Sequence, residues 1–205
     1  MGKGTRRTFL KTSTAGVAAA VMPQAAQALV ATPGATEGPY YPEPDMRFDD
    51  ADNDLVRTEG QVREAGGEII YLTGQVTDGD GNPVSGARVE IWQCDANGRY
   101  LHTGDDRDTP RDSAFQGFGH HVTGKDGQYR FRTIRPVPYP GRTPHIHVKV
   151  ITGQRTLTTQ LYLAGEPGNE NDVLYRRLST TERQAVEMRF ETRDGAPTTK
   201  VNLIV

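Results

Sequence analysis

Residues 134 to 150 read Ile134-Arg-Pro-Val-Pro-Tyr-Pro-Gly-Arg-Thr-Pro-His-Ile-His-Val-Lys-Val150, and this stretch decides what the chain can become. Prolines at 136, 138, 140 and 144 each lack an N–H and fix φ, so the first half is extended and cannot be helix. After Pro144 the residues alternate. A strand here puts Ile146, Val148 and Val150 on one face and His145 and His147 on the other. Two imidazoles side by side are half of a metal site, and Tyr139 and Arg142 lie just upstream on a loop stiffened by proline.

Working outward, short β-branched and aromatic runs alternate with turn residues from position 68 onward. Strands are predicted over 69–77, 87–94, 128–134, 156–163, 184–191 and 201–205. Val89 and Ile91 share a face of the second; Tyr129, Phe131 and Thr133 share one in the third. Val186, Met188 and Phe190 follow period two. Residues 171–178 suit a short helix, and 102–119 form a long loop of the kind that carries function. Asp78-Gly-Asp-Gly-Asn-Pro83 is a turn that lacks the later Glu of a calcium loop. About seven strands with scarcely a helical period imply an all-β fold, an antiparallel β-sandwich with long irregular loops over 69–205. Residues 29–68, rich in Pro, Gly, Asp and Glu without a sustained period, form an irregular N-terminal arm that contains the aromatic turn Gly38-Pro-Tyr-Tyr-Pro42.

The first 28 residues stand apart. Thr5-Arg-Arg-Thr-Phe-Leu-Lys11, a weakly apolar run over 14–22 and Ala26-Gln-Ala28 occur in the order of a twin-arginine export signal, too short for a membrane span. Cleavage after Ala28 implies a periplasmic or extracellular protein with no stable membrane insertion. It removes four of the 24 basic residues and none of the 26 acidic ones, leaving 20 against 26. That acidic balance, without a basic cluster, argues against nucleic acid as a partner. Cys94 is the single cysteine, so no intrachain disulfide can form.

All five histidines, 102, 120, 121, 145 and 147, fall within the middle of the chain. His145 and His147 with nearby tyrosines suit a metal. Zinc would be expected to recruit Cys, Asp or a third His. A phenol, with a pKa near ~10, ionises at neutral pH beside a strong Lewis acid, and hard Fe(III) serves well. From residue types alone, copper or zinc held by His145, His147 and a tyrosine stays open.

Several separated motifs, in order, resemble the intradiol ring-cleavage dioxygenases, which include the catechol 1,2- and protocatechuate 3,4-dioxygenases. They are Gly38-Pro-Tyr-Tyr41, Glu90-Ile-Trp-Gln-Cys-Asp-Ala-Asn-Gly-Arg-Tyr100, Gly117-Phe-Gly119, Ile134-Arg-Pro-Val-Pro-Tyr139, Arg142, His145-Ile-His147 and Thr159-Gln-Leu-Tyr162. The resemblance covers roughly residues 36–178. It implies a non-haem Fe(III) held by Tyr100, Tyr139, His145 and His147, with Tyr139 and His147 axial and Tyr100 and His145 equatorial. It also implies that Arg142 stabilises charge developing on the substrate ring, that Gln160 assists it, and that Tyr139 takes a substrate proton. The substrates would be a catechol-type molecule and O2, and the product a cis,cis-muconate-type dicarboxylic acid. Tyr40, Tyr41 and Gly141 are the candidate substrate-pocket residues.

Some features set this chain apart. Only Pro140 and Gly141 separate Tyr139 from Arg142, which implies an open site for bulkier or substituted catechols. The arm is too short for the helical dimerisation domain of catechol 1,2-dioxygenases, though a homo-oligomer of another kind stays open. His102, His120 and His121 match no ligand position and read as loop or pocket-rim residues. A competing reading is a non-catalytic module: Leu72-Thr-Gly-Gln-Val-Thr-Asp78 through Val84-Ser-Gly-Ala-Arg-Val-Glu-Ile91 is also the pattern of transthyretin-like and carboxypeptidase-regulatory sandwiches. A spacer has no use for Tyr100, Tyr139, His145 and His147. Extradiol cleavage fits less well, because its Fe(II) site uses two histidines and a carboxylate.

Overall fold

The computed structural model describes Met1 and residues 29–205; apart from Met1, the export signal read over 1–28 lies outside the described residues. The described strands are β1 (Ile69–Thr77), β2 (Arg88–Trp92), β3 (Phe118–Val122), β4 (Gln128–Ile134), β5 (His145–Ile151), β6 (Thr156–Leu163), β7 (Glu187–Met188), β8 (Phe190–Arg193), β9 (Ala196–Lys200) and β10 (Leu203–Ile204). Two short helices, α1 (Val173–Arg176) and α2 (Thr180–Val186), lie between β6 and β7.

Two five-stranded sheets face each other. In one, β1 pairs with β4 on one side and with β9 and β10 on the other, so β4 is outermost on one side and β8, beyond β9, on the other. The second runs β3-β2-β5-β6-β7. Ile70, Leu72 and Val76 from β1, with Phe131 from β4, meet Val89 and Ile91 from β2 and Ile146, Val148 and Val150 from β5 in one buried core. The apolar face of the histidine strand is therefore turned into the sandwich, as its alternation requires.

The sandwich is as expected, but its sheets are mixed. β1 runs parallel to β9 and β10, and β6 parallel to β7. Strand direction depends on how the chain returns, and the helices between β6 and β7 bring it back in the same sense. Residues 184–191 are not one strand. Ser179 accepts from the Glu182 N–H while Glu182 caps Ser179 in return, and this capping box starts α2, which runs to Val186. The chain becomes strand only at Glu187. A hairpin absent from the sequence reading joins β8 to β9 through Asp194 and Gly195, both at positive φ (49° and 80°), the geometry of a tight hairpin turn.

The arm contains only a 3-10 turn at Pro44–Met46, yet it is built into the sandwich. The Ala35 N–H donates to the Thr158 carbonyl, the Leu55 N–H to the Arg132 carbonyl, and Leu55 and Val56 are core residues. These contacts cover parts of the outer strand β4 and of β6.

Candidate active site and metal centre

The site forms where the polar face of β5 meets the loops at one edge of the sandwich. Antiparallel pairing puts Trp92 opposite His147 on one side, with Gln160 opposite His147 and Tyr162 opposite His145 on the other. The His145 and His147 Nε2 atoms are 3.1 Å apart, both buried. His145 Nδ1–H donates to the Thr143 carbonyl at 2.7 Å, which leaves the Nε2 lone pair free and aimed at the centre. Burial, with the Arg142 charge, depresses His145 to about 4. Burial, His145 and Arg142 push His147 well below its ordinary value. Both rings are neutral at pH 7 and carry ligand lone pairs.

The tyrosines complete the ring of donors. Tyr100 lies edge-on to Tyr139 with centroids 5.4 Å apart, and 6.1 Å from His147; Tyr139 is 5.5 Å from His145. Burial drives the Tyr100 phenol far up, with Cys94 and Tyr139 adding to it; burial also raises Tyr139, against the pull of Arg142. The Tyr100 hydroxyl is buried with no hydrogen-bond partner, a costly arrangement for a neutral phenol and a reasonable one for a cation ligand. Two neutral imidazoles and two oxygen donors, one of them unsatisfied, are a donor set that fits ferric iron. Among the described residues no group of three or more His, Cys, Asp or Glu is placed to hold a metal, so neither a two-His, one-carboxylate set nor a zinc set of those types is present.

Each side chain is held by an identifiable contact. The Tyr100 N–H donates to the buried Asp105 carboxylate, which also binds Arg107, whose guanidinium carbon lies 5.8 Å from the centre of the Tyr139 ring. Trp92 stacks on His147 at 4.8 Å and 11°. Gly38, at φ 75°, brings its backbone so close that a Cβ there would lie 3.3 Å from His147 Cε1. Arg142 Nη2 donates to Gln160 Oε1 at 2.6 Å and its Nε to Asp172 Oδ2 at 2.8 Å, while Nη1 lies 3.4 Å from the Tyr139 hydroxyl. Gln160 is locked: Oε1 also accepts from the Tyr162 hydroxyl, and Nε2 donates to the Thr36 carbonyl.

The structure thus brings together Tyr100, Tyr139, Arg142, His145, His147 and Gln160. Tyr40 belongs with them, stacked on Tyr100 at 4.8 Å. Tyr41 takes another direction: its hydroxyl donates to Glu90 and its ring packs on Trp92 and Phe118, so it meets the site only through the indole. Gly141 is exposed, and a Cβ there would meet open space. His102 is on the rim, 5.9 Å from Tyr40. His120 and His121 are not loop residues; they lie in β3, opposite Glu90 and Val89, because Phe118–Val122 completes the sheet against β2. Asp105 and Asp172 carry no motif in the sequence, and only the hydrogen bonds reveal them.

Two mixed sheets with tyrosine and histidine donors converging at one edge define a β-sandwich protein with a candidate metal centre. A family model described as dioxygenase matches residues 36–202, and the chain belongs to the intradiol ring-cleavage dioxygenase family. It is 38% identical over 149 residues to the protocatechuate 3,4-dioxygenase beta chain of Burkholderia cepacia, covering 68% of this chain and 63% of that one. With the hydroxyquinol 1,2-dioxygenase of Nocardioides simplex it shares 33% identity over 166 residues, 71% of this chain and 52% of the other. The chain thus spans between about half and two thirds of the length of these curated relatives. The solved dioxygenase domain of a dioxygenase carbohydrate-binding protein fusion from Streptomyces sp. SirexAA-E superposes with a TM-score of 0.65 at 32% identity, covering 86% of this chain and 98% of that domain.

Proposed function

We propose that the chain is a non-haem Fe(III)-dependent intradiol dioxygenase. It cleaves a catechol-type ring between its two hydroxyl-bearing carbons and places both atoms of O2 in a cis,cis-muconate-type dicarboxylic acid. The observation that carries this reading is the convergence of Tyr100, Tyr139, His145 and His147 with the Arg142–Gln160 pair beside them. These four residues are the ligands in this reading. Ferric iron held by these four residues would supply the Lewis acidity that keeps phenolates ionised at neutral pH and that favours ring chemistry with O2.

The chain's own residues do the rest. Tyr139 is partly exposed and is the phenolate that accepts a proton from an entering catechol hydroxyl. The Arg142 guanidinium, held by Gln160 and Asp172, offers fixed positive charge where negative charge develops on the ring. Trp92 and Gly38 hold His147 in place, and Tyr40 covers Tyr100 from solvent. The open space at Gly141 favours substituted catechols over catechol itself.

The test is to load the protein with ferric iron, record its visible spectrum, and follow O2 uptake across catechol, protocatechuate, hydroxyquinol and chlorinated or methylated catechols. A burgundy tyrosinate-to-iron band and a colourless muconate product are expected. Iron-free, colourless protein from iron-replete cells would favour the binding module, and a yellow semialdehyde product would indicate extradiol cleavage. The reading also places the reaction outside the cytoplasm, supported by the twin-arginine pattern over 5–28. Cell fractionation with the Arg6-Arg7 pair changed to Lys-Lys tests it, since export is then expected to fail.

A further inference from the structure

Asp172 is 1% exposed and hydrogen-bonds to none of the four donors, yet two of its bonds lead straight to the site. Its Oδ1 accepts from the Leu174 and Tyr175 N–H groups at 2.9 and 3.1 Å, so the start of α1 sets the plane of the carboxylate. Its Oδ2 accepts from Arg142 Nε at 2.8 Å and from the Thr143 N–H at 3.0 Å. Thr143 is also the residue whose carbonyl accepts from His145 Nδ1.

We propose that Asp172 is a positioning residue for ring cleavage, fixing the Arg142 guanidinium and the 142–143 peptide from outside the site; this rests on the dioxygenase reading above. An arginine has five N–H donors on a long, rotatable stem. With Nε taken by Asp172, the planar group has one orientation in which Nη2 meets Gln160 and Nη1 faces the Tyr139 hydroxyl at 3.4 Å. Without that anchor the guanidinium can rotate about its stem, and a charge that moves stabilises a developing charge less well. The alternative is that Asp172 merely caps α1.

Asp172→Ser separates the two roles, because serine keeps a capping oxygen but cannot also reach Arg142. Asp172→Asn is the milder companion, should the serine variant fail to fold. With iron content close to wild type and turnover read well below the variant's own melting temperature, kcat is expected to fall roughly tenfold to a hundredfold in Asp172→Ser, with KM changed less than about threefold. In an Arg142→Gln background the same change is expected to alter kcat less than about twofold. A kcat within about twofold of wild type, or an equal further loss on top of Arg142→Gln, would overturn the proposal. A readout independent of turnover is the 15N-labelled Arg142 Nε–H signal, identified by its loss in Arg142→Gln. Read in the diamagnetic Ga(III)-substituted protein, it is expected to exchange slowly in wild type, faster in Asp172→Asn, whose amide oxygen is a weaker acceptor, and fastest in Asp172→Ser; wild-type exchange retained in Asp172→Ser, or in Asp172→Asn where the serine variant does not fold, would overturn the proposal. Wild type that consumes no O2 with any catechol sinks the dioxygenase reading instead, and the exchange measurement still decides whether Asp172 fixes Arg142.

Discussion

The two tyrosine-bearing loops meet at one centre and are built in opposite ways. Tyr100 follows β2, is 2% exposed, packs with Trp92, Cys94 and Phe118, and has its N–H pinned by Asp105. Its hydroxyl has no protein partner. Tyr139 stands on the proline loop, partly exposed, in a tight turn where the Arg142 N–H donates to the Tyr139 carbonyl and the guanidinium lies by the phenol. A locked, unsatisfied phenol suits a permanent ligand. A partly exposed phenol beside a fixed cation suits one that leaves and returns during turnover.

The largest expected effects test that division. His147→Ala, which removes one of the four donors, is expected to lose iron and colour. Tyr100→Phe is expected to do nearly the same. Tyr139→Phe should keep the fold and much of the iron while slowing substrate binding, because Tyr100 and both imidazoles stay in place. Metal analysis with stopped-flow mixing separates these outcomes. Equal iron loss in the two tyrosine variants would break the comparison, and full activity in both His147→Ala and Tyr139→Phe would remove the ligand assignment.

Much of this is legible in the sequence. The bounds of β1, β4 and β6 follow from β-branched and aromatic runs set between turn residues, and the split faces of β5 from its alternation. The donors were legible because their residue types are unusual together. Other features were hidden for physical reasons. Phe118-Gly-His-His-Val122 has no clean alternation and becomes β3 only through pairing with β2. Pro197 obscured the hairpin at Asp194-Gly195, although it lies in β9 opposite Thr192. Val186, Met188 and Phe190 alternate like a strand, whereas the capping box at Ser179 was the stronger local signal. Asp105 is five residues from Tyr100, and Asp172 is thirty from Arg142. A contact made by chain folding leaves no mark in local pattern.

Smaller effects sharpen the comparison between the loops. Asp105 has a fully buried side chain that serves Tyr100, Arg107 and Arg99, so Asp105→Ala leaves the buried Tyr100 N–H unpaired and releases two partly exposed arginines, and should cost on the order of 1–3 kcal/mol in unfolding free energy. Chemical denaturation reads this directly, and a loss under about 1 kcal/mol would show that the Tyr100 loop is not held this way. On the other side of His147, Gly38→Ala combines positive φ with a 3.3 Å approach to the ring. It should cost about 1–2 kcal/mol and, in the diamagnetic Ga(III)-substituted protein, broaden the His147 ring signals more than those of His145. Equal broadening of both rings would argue against a specific contact with His147.

The smallest effect is one of pH, and its sign follows from the two carboxylates. Burial works to raise Asp105 and Asp172. The Arg107 hydrogen bond and the Tyr100 N–H outweigh it at Asp105, and the Arg142 hydrogen bond with the Tyr175 and Thr143 N–H groups outweighs it at Asp172, so both lie below the ordinary carboxylate range. An unfolded aspartate titrates near ~3.9. Above that value both states are ionised and the stabilisation is fully present. As pH falls through and below it the unfolded chain takes up the proton first, and the contribution disappears by the time the folded carboxyl titrates. The melting-temperature gap between wild type and Asp105→Asn should therefore be flat from about pH 5 to 8 and shrink below about pH 4, and Asp172→Asn should behave in the same sense. His145 and His147, held neutral by burial, also destabilise the metal-free protein as pH falls below about 6.5, but they do so equally in wild type and variant and cancel in the gap. A gap that stays constant down to pH 3 for Asp105→Asn while closing for Asp172→Asn would show that only the Tyr139 loop is held by an ionised carboxylate.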